Sequence, residues 1–317
     1  MNSAVAIINW NSGNLLRTCI ESLLATTTNA EILVIDNAST DAALESVEGF
    51  RNRVDFIQNS VNRGFAAAVN QAFQTTSTSY VLILNPDIRV LPGAVQLLDQ
   101  FMENHPRAGA VGGFVGEQYL PREFPSVGGL VLENLGFGIK NSPPQMRRGG
   151  ATASGLTRRG GVVQEIDQHH PSRGCASAFP SSTEEGSFSV DQPAAAALMI
   201  RRDAYDDAGG FDEQFYPAWY EDVDFCLRIK ALGWEIFFVP AAEFLHTGGY
   251  SAGALGSESF VRAYYSNQMR YARKHFGSIG SAAVRASIAA GMIGRMIGRP
   301  REAKAYGKAF IGALKGW

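Results

Sequence analysis

Two short acidic segments carry residue types that can do chemistry. Leu84-Asn85-Pro86-Asp87 closes an apolar run, and Trp219-Tyr220-Glu221-Asp222-Val223-Asp224 is followed, after a short β-like stretch, by His246. An apolar run that ends abruptly in amide and carboxylate reads as a buried parallel strand. Its polar tip then enters the crevice where open α/β sheets bind ligands. A second carboxylate cluster and an imidazole are what a divalent ion and a general base need. These residue types point to an enzyme that handles a metal-bound diphosphate.

The elements that must position them are legible by periodicity. Residues 4–8, 31–36, 54–58, 80–85 and 108–115 are short runs rich in Val, Ile and Leu, separated by helix-period stretches at 15–24, 66–73 and 94–102. Strands alternating with helices predict an α/β fold whose central sheet is mostly parallel. Ser39-Thr40-Asp41 and Leu91-Pro92-Gly93 read as helix starts. Periodicity fades over 116–189, a stretch rich in Gly, Ser, Pro and Arg that reads as a variable loop or insertion. Pattern returns as a strand at 194–200, a helix at 203–209, a helix from Glu221, short strands at 237–239 and 243–246, and an amphipathic helix at 257–276. The Glu221 helix carries Val223, Cys226 and Leu227 on one stripe and Phe225, Ile229 and Leu232 on another, so it is expected to be buried on a wide face with Glu221 and Asp222 at its mouth.

Charge and cysteine usage narrow the class. The chain has 28 Lys and Arg against 30 Asp and Glu, which gives no signal for nucleic acid. Cys19, Cys175 and Cys226 match no zinc or redox spacing and fit a reducing compartment. Neither a signal peptide nor a membrane span is visible, so a cytoplasmic protein is expected. The tail at 281–317 differs. Its seven bases (Arg285, Arg295, Arg299, Arg301, Lys304, Lys308, Lys315) face one acid, Glu302. Ile288, Met292, Ile293, Met296, Ile297, Phe310, Ile311, Leu314 and Trp317 are interleaved with them. That pattern suits either peripheral contact with the inner face of the cytoplasmic membrane or a helical pair packed on the body with a solvated basic face.

Read in order, Ile8-Asn9-Trp10-Asn11-Ser12, Val34-Ile35-Asp36-Asn37-Ala38-Ser39-Thr40-Asp41, Asn62-Arg63-Gly64-Phe65-Ala66 and Leu84-Asn85-Pro86-Asp87 resemble the nucleotide-binding half of family 2 glycosyltransferases. Gly209-Gly210-Phe211-Asp212-Glu213, Tyr220-Glu221-Asp222-Val223-Asp224-Phe225-Cys226-Leu227-Arg228 and His246 resemble the acceptor half, nearest the rhamnosyltransferase-like subgroup. The resemblance implies a GT-A fold with a nucleotide-sugar-binding half at 1–115, a variable segment at 116–189, an acceptor-binding and catalytic half at 190–280, and the basic helical tail. It also implies transfer with inversion from a nucleotide-sugar donor, dTDP-rhamnose first and UDP-sugars next, to a glycan or lipid-linked acceptor of the cell envelope. Mg2+ or Mn2+ is the implied cofactor.

Carried onto this sequence, the family's donor contacts fall on Asn9, Asn11, Asp36, Asn37, Asn62, Arg63, Gly64, Asn85 and Asp87. Asp36 is expected at the base or ribose, or else as the cap of the turn that follows it. Arg63 and Gly64 sit in a strand-to-helix turn that suits phosphate. The family's acidic triplet stands here as Asn85-Pro86-Asp87, so only Asp87 can ligate as an anion, and His246 matches the second metal ligand. Asp222 is the expected base, with Glu221 on the acceptor or on a donor-sugar hydroxyl. Asp224 has an ordinary explanation, a pair with Arg228 four residues on. His169 and His170 are expected to be bland. A non-catalytic nucleotide-sugar-binding protein is the competing class. A nicotinamide dehydrogenase is disfavoured, because Asn9-Trp10-Asn11-Ser12-Gly13 stands where a Gly-x-Gly-x-x-Gly would be needed.

Overall fold

The computed structural model describes residues 2–27, 30–137, 186–246 and 255–317. Strands β1 (Ser3–Asn9), β2 (Glu31–Asp36), β3 (Asp55–Gln58) and β4 (Tyr80–Leu84) pair in the order β3-β2-β1-β4, all parallel. β1 and β4 are buried at every position, as strands covered on both faces must be. The covering helices are α1 (Leu15–Thr26), α2 (Phe65–Thr75) and α3 (Ala94–Asn104). In α1 the buried set is Leu16, Cys19, Ile20 and Leu23, the stripe a 3.6-residue period puts on one side.

The sheet continues through β8 (Ala197–Arg201), β6 (Ala108–Phe114), β9 (Glu235–His246) and β5 (Ile88–Val90), and β7 (Phe188–Ser189) also pairs with β9. Six of the nine described strands run one way; β5, β7 and β8 are inverted. The expectation of a mostly parallel sheet therefore holds in direction, although the second half is mixed. β8 follows the 116–189 stretch and runs antiparallel to both of its neighbours, β4 and β6.

Several elements differ from the sequence reading. Ser39-Thr40-Asp41 does not start an α-helix. Ser39 and Asp41 are drawn into turn hydrogen bonds, and only a 3-10 turn at Glu45–Phe50 follows. The stretch from 116 is not wholly irregular: Ser126 accepts from the Gly129 backbone N–H and opens helix α4 (Val127–Asn134). The two short strands near 240 are one strand, β9, whose pairing with β6 shifts register between Gly113 and Phe114. Helix α5 (Arg202–Ala208) and helix α6 (Glu221–Ala231) form as expected, but Leu232 is 55% exposed.

Helices α7 (Ser257–His275), α8 (Gly277–Gly298) and α9 (Ala303–Lys315) form a bundle with its own core, including Phe215, Tyr264, Tyr265, Ile288, Met292, Tyr306 and Ala309. The tail is therefore a helical pair docked on the body. Gly291 of α8 lies so close to the Asn134 carbonyl of α4 that an added Cβ would stand 2.0 Å from it. Trp317 is not presented outward as an interfacial tryptophan; its ring turns back onto Gly312 and joins the bundle core.

Candidate active site

The C-terminal ends of β1, β2 and β4 place the first set of predicted residues. Asn9 and Asp36 are register partners at the strand ends, and the Asn9 amide donates to Asp36 Oδ1 at 2.7 Å. Asp36 also accepts from the Ser39 backbone N–H at 3.0 Å and is 1% exposed. Its geometry is that of a turn cap beneath the cleft floor. Asn11, at φ 47°, accepts from the Thr40 backbone N–H at 2.7 Å and locks the β1 turn to the β2 turn. Asn37 is the residue this framework presents. It donates to the Gly64 carbonyl at 3.1 Å and accepts from Asn59 at 3.0 Å.

Asn62 accepts from the Gly64 backbone N–H at 2.8 Å, which closes the turn before α2. Gly64 has φ 87°, and a Cβ there would stand 2.9 Å from the Tyr216 ring and 3.1 Å from the Pro217 carbonyl oxygen. That carbonyl in turn accepts from the Phe65 N–H at 2.7 Å. The glycine thus serves close approach of the 216–220 loop as well as the backbone conformation.

A cleft of about 610 Å³ opens above these turns. Of the predicted site residues, Asn37, Asn62, Asn85, Asp87, Glu221, Asp222 and His246 line it; Asn9, Asn11, Asp36, Arg63 and Gly64 do not. Arg63 is exposed at the surface. His169 and His170 lie outside the described residues, as does Cys175. Cys19 and Cys226 are buried, and burial raises both thiols, so neither is a nucleophile.

Asp87 and His246 meet because β5 pairs antiparallel with the end of β9, with Ile88 opposite His246. His246 Nε2 lies 3.1 Å from Asp87 Oδ1, and each side chain is less than a tenth exposed. Two ligands of one ion bound at about 2.1 Å and at right angles stand about 3 Å apart, so this spacing fits shared coordination. The other ring nitrogen, Nδ1, is buried and finds no hydrogen-bond partner among the described residues, and Tyr119 stacks obliquely at 4.5 Å. Among the described residues no cluster of three metal-ligating side chains exists. An ion held here needs further oxygens from its ligand.

The opposite wall is the start of α6. Trp219 and Tyr220 both adopt left-handed φ values of 77° and 75°, a conformation costly for aromatic residues and held by their burial in the bundle core. The turn delivers Glu221 and Asp222 into the cleft. Glu221 is 5% exposed, its Oε2 finds no partner among the described residues, and burial, then the adjacent Asp222, push its carboxyl well above the usual range. Asp222 is half-buried and accepts from the Val223 backbone N–H at 2.8 Å. Burial raises its carboxyl too, against the lowering effect of that N–H and of the Arg122 guanidinium. Both carboxyls are thus shifted toward the range where an acid or base operates.

Asp224, one turn on, is fully buried and structural. It pairs with Arg228 at 2.7 Å as expected, and also with Lys274 at 2.9 Å and His275 at 2.8 Å. Arg228 in addition donates to the carbonyls of Ala208 and Gly210, so the 209–213 segment is fastened to α6.

Two lining residues escaped the sequence reading. Arg122, whose backbone bridges Gln192, is the one Lys or Arg among the described lining residues. Glu133 of α4 accepts from the Tyr264 hydroxyl at 2.8 Å. Both sit in the stretch without periodicity; the Ser126 cap was the available signal.

The Glycosyl transferase family 2 model matches residues 4–156. N-acetylglucosaminyl-diphospho-decaprenol L-rhamnosyltransferase of Mycobacterium tuberculosis (strain ATCC 25618 / H37Rv) is 26% identical over 291 residues, covering 86% of this chain and 85% of that protein. Among solved structures, the mannosyltransferase PcManGT from Pyrobaculum calidifontis, in complex with GDP-Man and Mn2+, aligns at TM-score 0.55 and 12% identity over 99% of this chain and 86% of that one. S. aureus TarS aligns at TM-score 0.55 and 15% identity over all of this chain, which spans 49% of TarS. Both structures share the GT-A-like fold described above.

Proposed function

The chain belongs to the family 2 glycosyltransferases and is rhamnosyltransferase-like, and we propose that it moves a sugar, first L-rhamnose from dTDP-rhamnose, with inversion onto a lipid-linked glycan of the cell envelope. The observation that carries this is the juxtaposition across one cleft of the Asp87–His246 contact at 3.1 Å and the Glu221-Asp222 pair. The relative from M. tuberculosis is named for a diphospho-decaprenol-linked acceptor and a rhamnosyl donor, which supports the choice of both. UDP-sugars are the second donor class, since Asn37 and Asn62 would read either pyrimidine.

The residues divide the work. Asn37, Asn62 and Asn85 line the side where base, ribose and diphosphate would lie, and the buried Asn9–Asp36 pair, with Asn11 bonded to Thr40, fixes their turns. Asp87 and His246 would hold a Mg2+ or Mn2+ ion together with diphosphate oxygens, and the ion would supply charge neutralisation for the leaving nucleotide diphosphate. Asp222 accepts the proton of the acceptor hydroxyl while that oxygen bonds to the anomeric carbon. The bond from that carbon to the diphosphate oxygen breaks on the opposite face, and the nucleotide leaves with the electron pair. No enzyme nucleophile is needed for such a single displacement. Glu221 orients a sugar hydroxyl beside the base. Among the described residues no helix is long and apolar enough to cross a membrane. The place proposed for meeting a lipid-linked acceptor is the inner face of the cytoplasmic membrane.

The test is a panel of nucleotide sugars assayed for donor hydrolysis and transfer with manganese. Turnover of dTDP-rhamnose above the UDP-sugars is expected. Donor binding without any turnover would return the chain to the non-catalytic class.

A further inference from the structure

In α8 the residues that face solvent are not the polar set a surface helix needs. Val284, Ser287, Ile288, Gly291 and Met292 are buried against the bundle and α4. On the far side, Ile279, Ala282, Ala286, Ala290, Ile293 and Ile297 recur at intervals of three and four and are all exposed, with Ile279 at 86% and Ile297 at 79%. The stripe runs roughly 27 Å along the helix at 1.5 Å per residue. A surface helix normally carries its polar face there, and a continuous exposed apolar stripe marks an interaction site.

The neighbouring helix supplies the charge. α9 folds back on α8, with Gly307 against Met296 and Tyr306 bonded to Arg299, and both helices lie on α7. Its outer positions are Lys304, Lys308, Ile311, Leu314 and Lys315, all exposed, with Ile311 at 51% and Leu314 at 61%. Arg285, Arg299 and Arg301 are exposed beside the stripe.

We propose that the outer face of the α8–α9 hairpin docks on an anionic lipid bilayer, with the Ile279–Ile297 stripe entering the headgroup boundary and the lysines and arginines meeting lipid phosphates. An apolar strip bordered by bases is the pattern of an interfacial helix. A second copy of the chain is the poorer occupant, because the exposed bases Arg285, Arg299, Arg301, Lys304 and Lys315 would face their own image across the contact, with Arg295 turned inward onto the Asn134 carbonyl and Lys308 paired with Glu258. The biological use of this surface rests on the lipid-linked acceptor proposed above. α4 joins the two: Gly129, Leu130, Leu132 and Glu133 line the cleft, while Asn134 bonds Ser287 and Arg295 of α8. Docking α8 on a bilayer would therefore hold the cleft one helix away from an acceptor anchored in the same leaflet.

The experiment is flotation of the full chain with vesicles of mixed phosphatidylglycerol and phosphatidylcholine, against phosphatidylcholine alone, at low and high salt. Binding to the anionic vesicles that weakens with salt is expected. Two variants, one combining Ile279→Ser, Ile293→Ser and Ile297→Ser and one combining Lys304→Glu with Lys315→Glu, should each lower partitioning by about tenfold or more, with donor hydrolysis and the circular dichroism melt unchanged. Absence of wild-type binding at low salt, or equal binding by the variants, overturns the proposal. A dimer in sedimentation velocity that the isoleucine variant dissolves would also overturn it and assign the face to self-association. Vesicle binding without transfer to any lipid-linked acceptor would leave the docking face standing and remove the acceptor reading instead.

Discussion

His246 Nε2 lies 3.1 Å from Asp87 Oδ1 because two antiparallel strand ends, and not one motif, bring them together. That pair alone is too sparse to hold a divalent ion against water. Nucleotide diphosphate and metal should therefore bind as a unit. Calorimetry with dTDP or UDP is expected to show affinity falling by about tenfold or more when the ion is chelated, and a similar fall in Asp87→Asn or His246→Ala with the ion present. Equal affinity with and without chelator would remove the ion from this site.

Asp222→Asn should reduce transfer by about 10² to 10⁴ while leaving donor affinity within about twofold, since the amide keeps the shape but cannot take the proton. Because burial raises the Asp222 carboxyl, the acid limb of the wild-type rate profile should lie above the ordinary aspartate value of about 3.9. Activity is lost as the pH falls through that raised value. If Asp222→Asn turns over near-normally, Glu221 becomes the base.

Glu221→Gln should cost activity and gain stability. The buried Glu221 Oε2 has no partner among the described residues, and burial raises its carboxyl in the fold. A proton is thus held more tightly folded than unfolded. The wild type therefore loses stability as pH rises from the unfolded glutamate value, about 4.3, toward the raised folded one. Glutamine lacks that slope. The thermal midpoint of the variant is expected to exceed wild type by a few degrees at pH 8, equivalent to about 1–3 kcal/mol, with the gap closing near pH 4. A gap that does not change with pH would show that Glu221 is paired in solution.

Asp224→Ala should destabilise the fold by about 3 kcal/mol or more, because it leaves the charges of Arg228 and Lys274, with His275, facing a buried void. Urea unfolding measures this directly. The loss should be smaller in an Asp224→Asn chain, where the side chain still accepts hydrogen bonds. Equal losses in the two variants would mean that the charge alone, and neither packing nor the retained acceptor, fastens α6 to α7.

The donor half was legible because its signals are local. Buried strands such as residues 80–84 read as continuous apolar runs, and the polar residue at each end marks the cleft edge. Asp87, Glu221, Asp222 and His246 are legible as residue types at the ends of strands and of a helix, and the fold brings them to one cavity. What was not legible depends on contacts distant in sequence. Asp36 and Asn9 read as ligand contacts in the sequence, and only the pairing of their strand ends reveals that the Asn9 amide donates to Asp36 Oδ1. Arg122 and Glu133 have no periodic neighbours to announce them. In the tail, the sequence showed apolar and basic residues interleaved but not which apolar set the core would take. Ile288, Met292 and Trp317 went inward, and Ile279, which lay outside the segment singled out, stayed outside.

The Arg122–Gln192 bridge has a consequence for how such a chain can change. The polypeptide leaves β6 and re-enters β8 at the same end of these two antiparallel strands, and the paired backbones of Arg122 and Gln192 pinch the two passages together. A segment closed at a fixed neck can lengthen at little cost, since doubling a flexible loop adds only about 0.6 kcal/mol of closure entropy. The sheet and donor turns below the neck need not register the alteration. An insertion between residues 122 and 192 would close at the same neck, so the turns that end β1, β2 and β4 would keep their geometry whatever length the chain takes between those two residues.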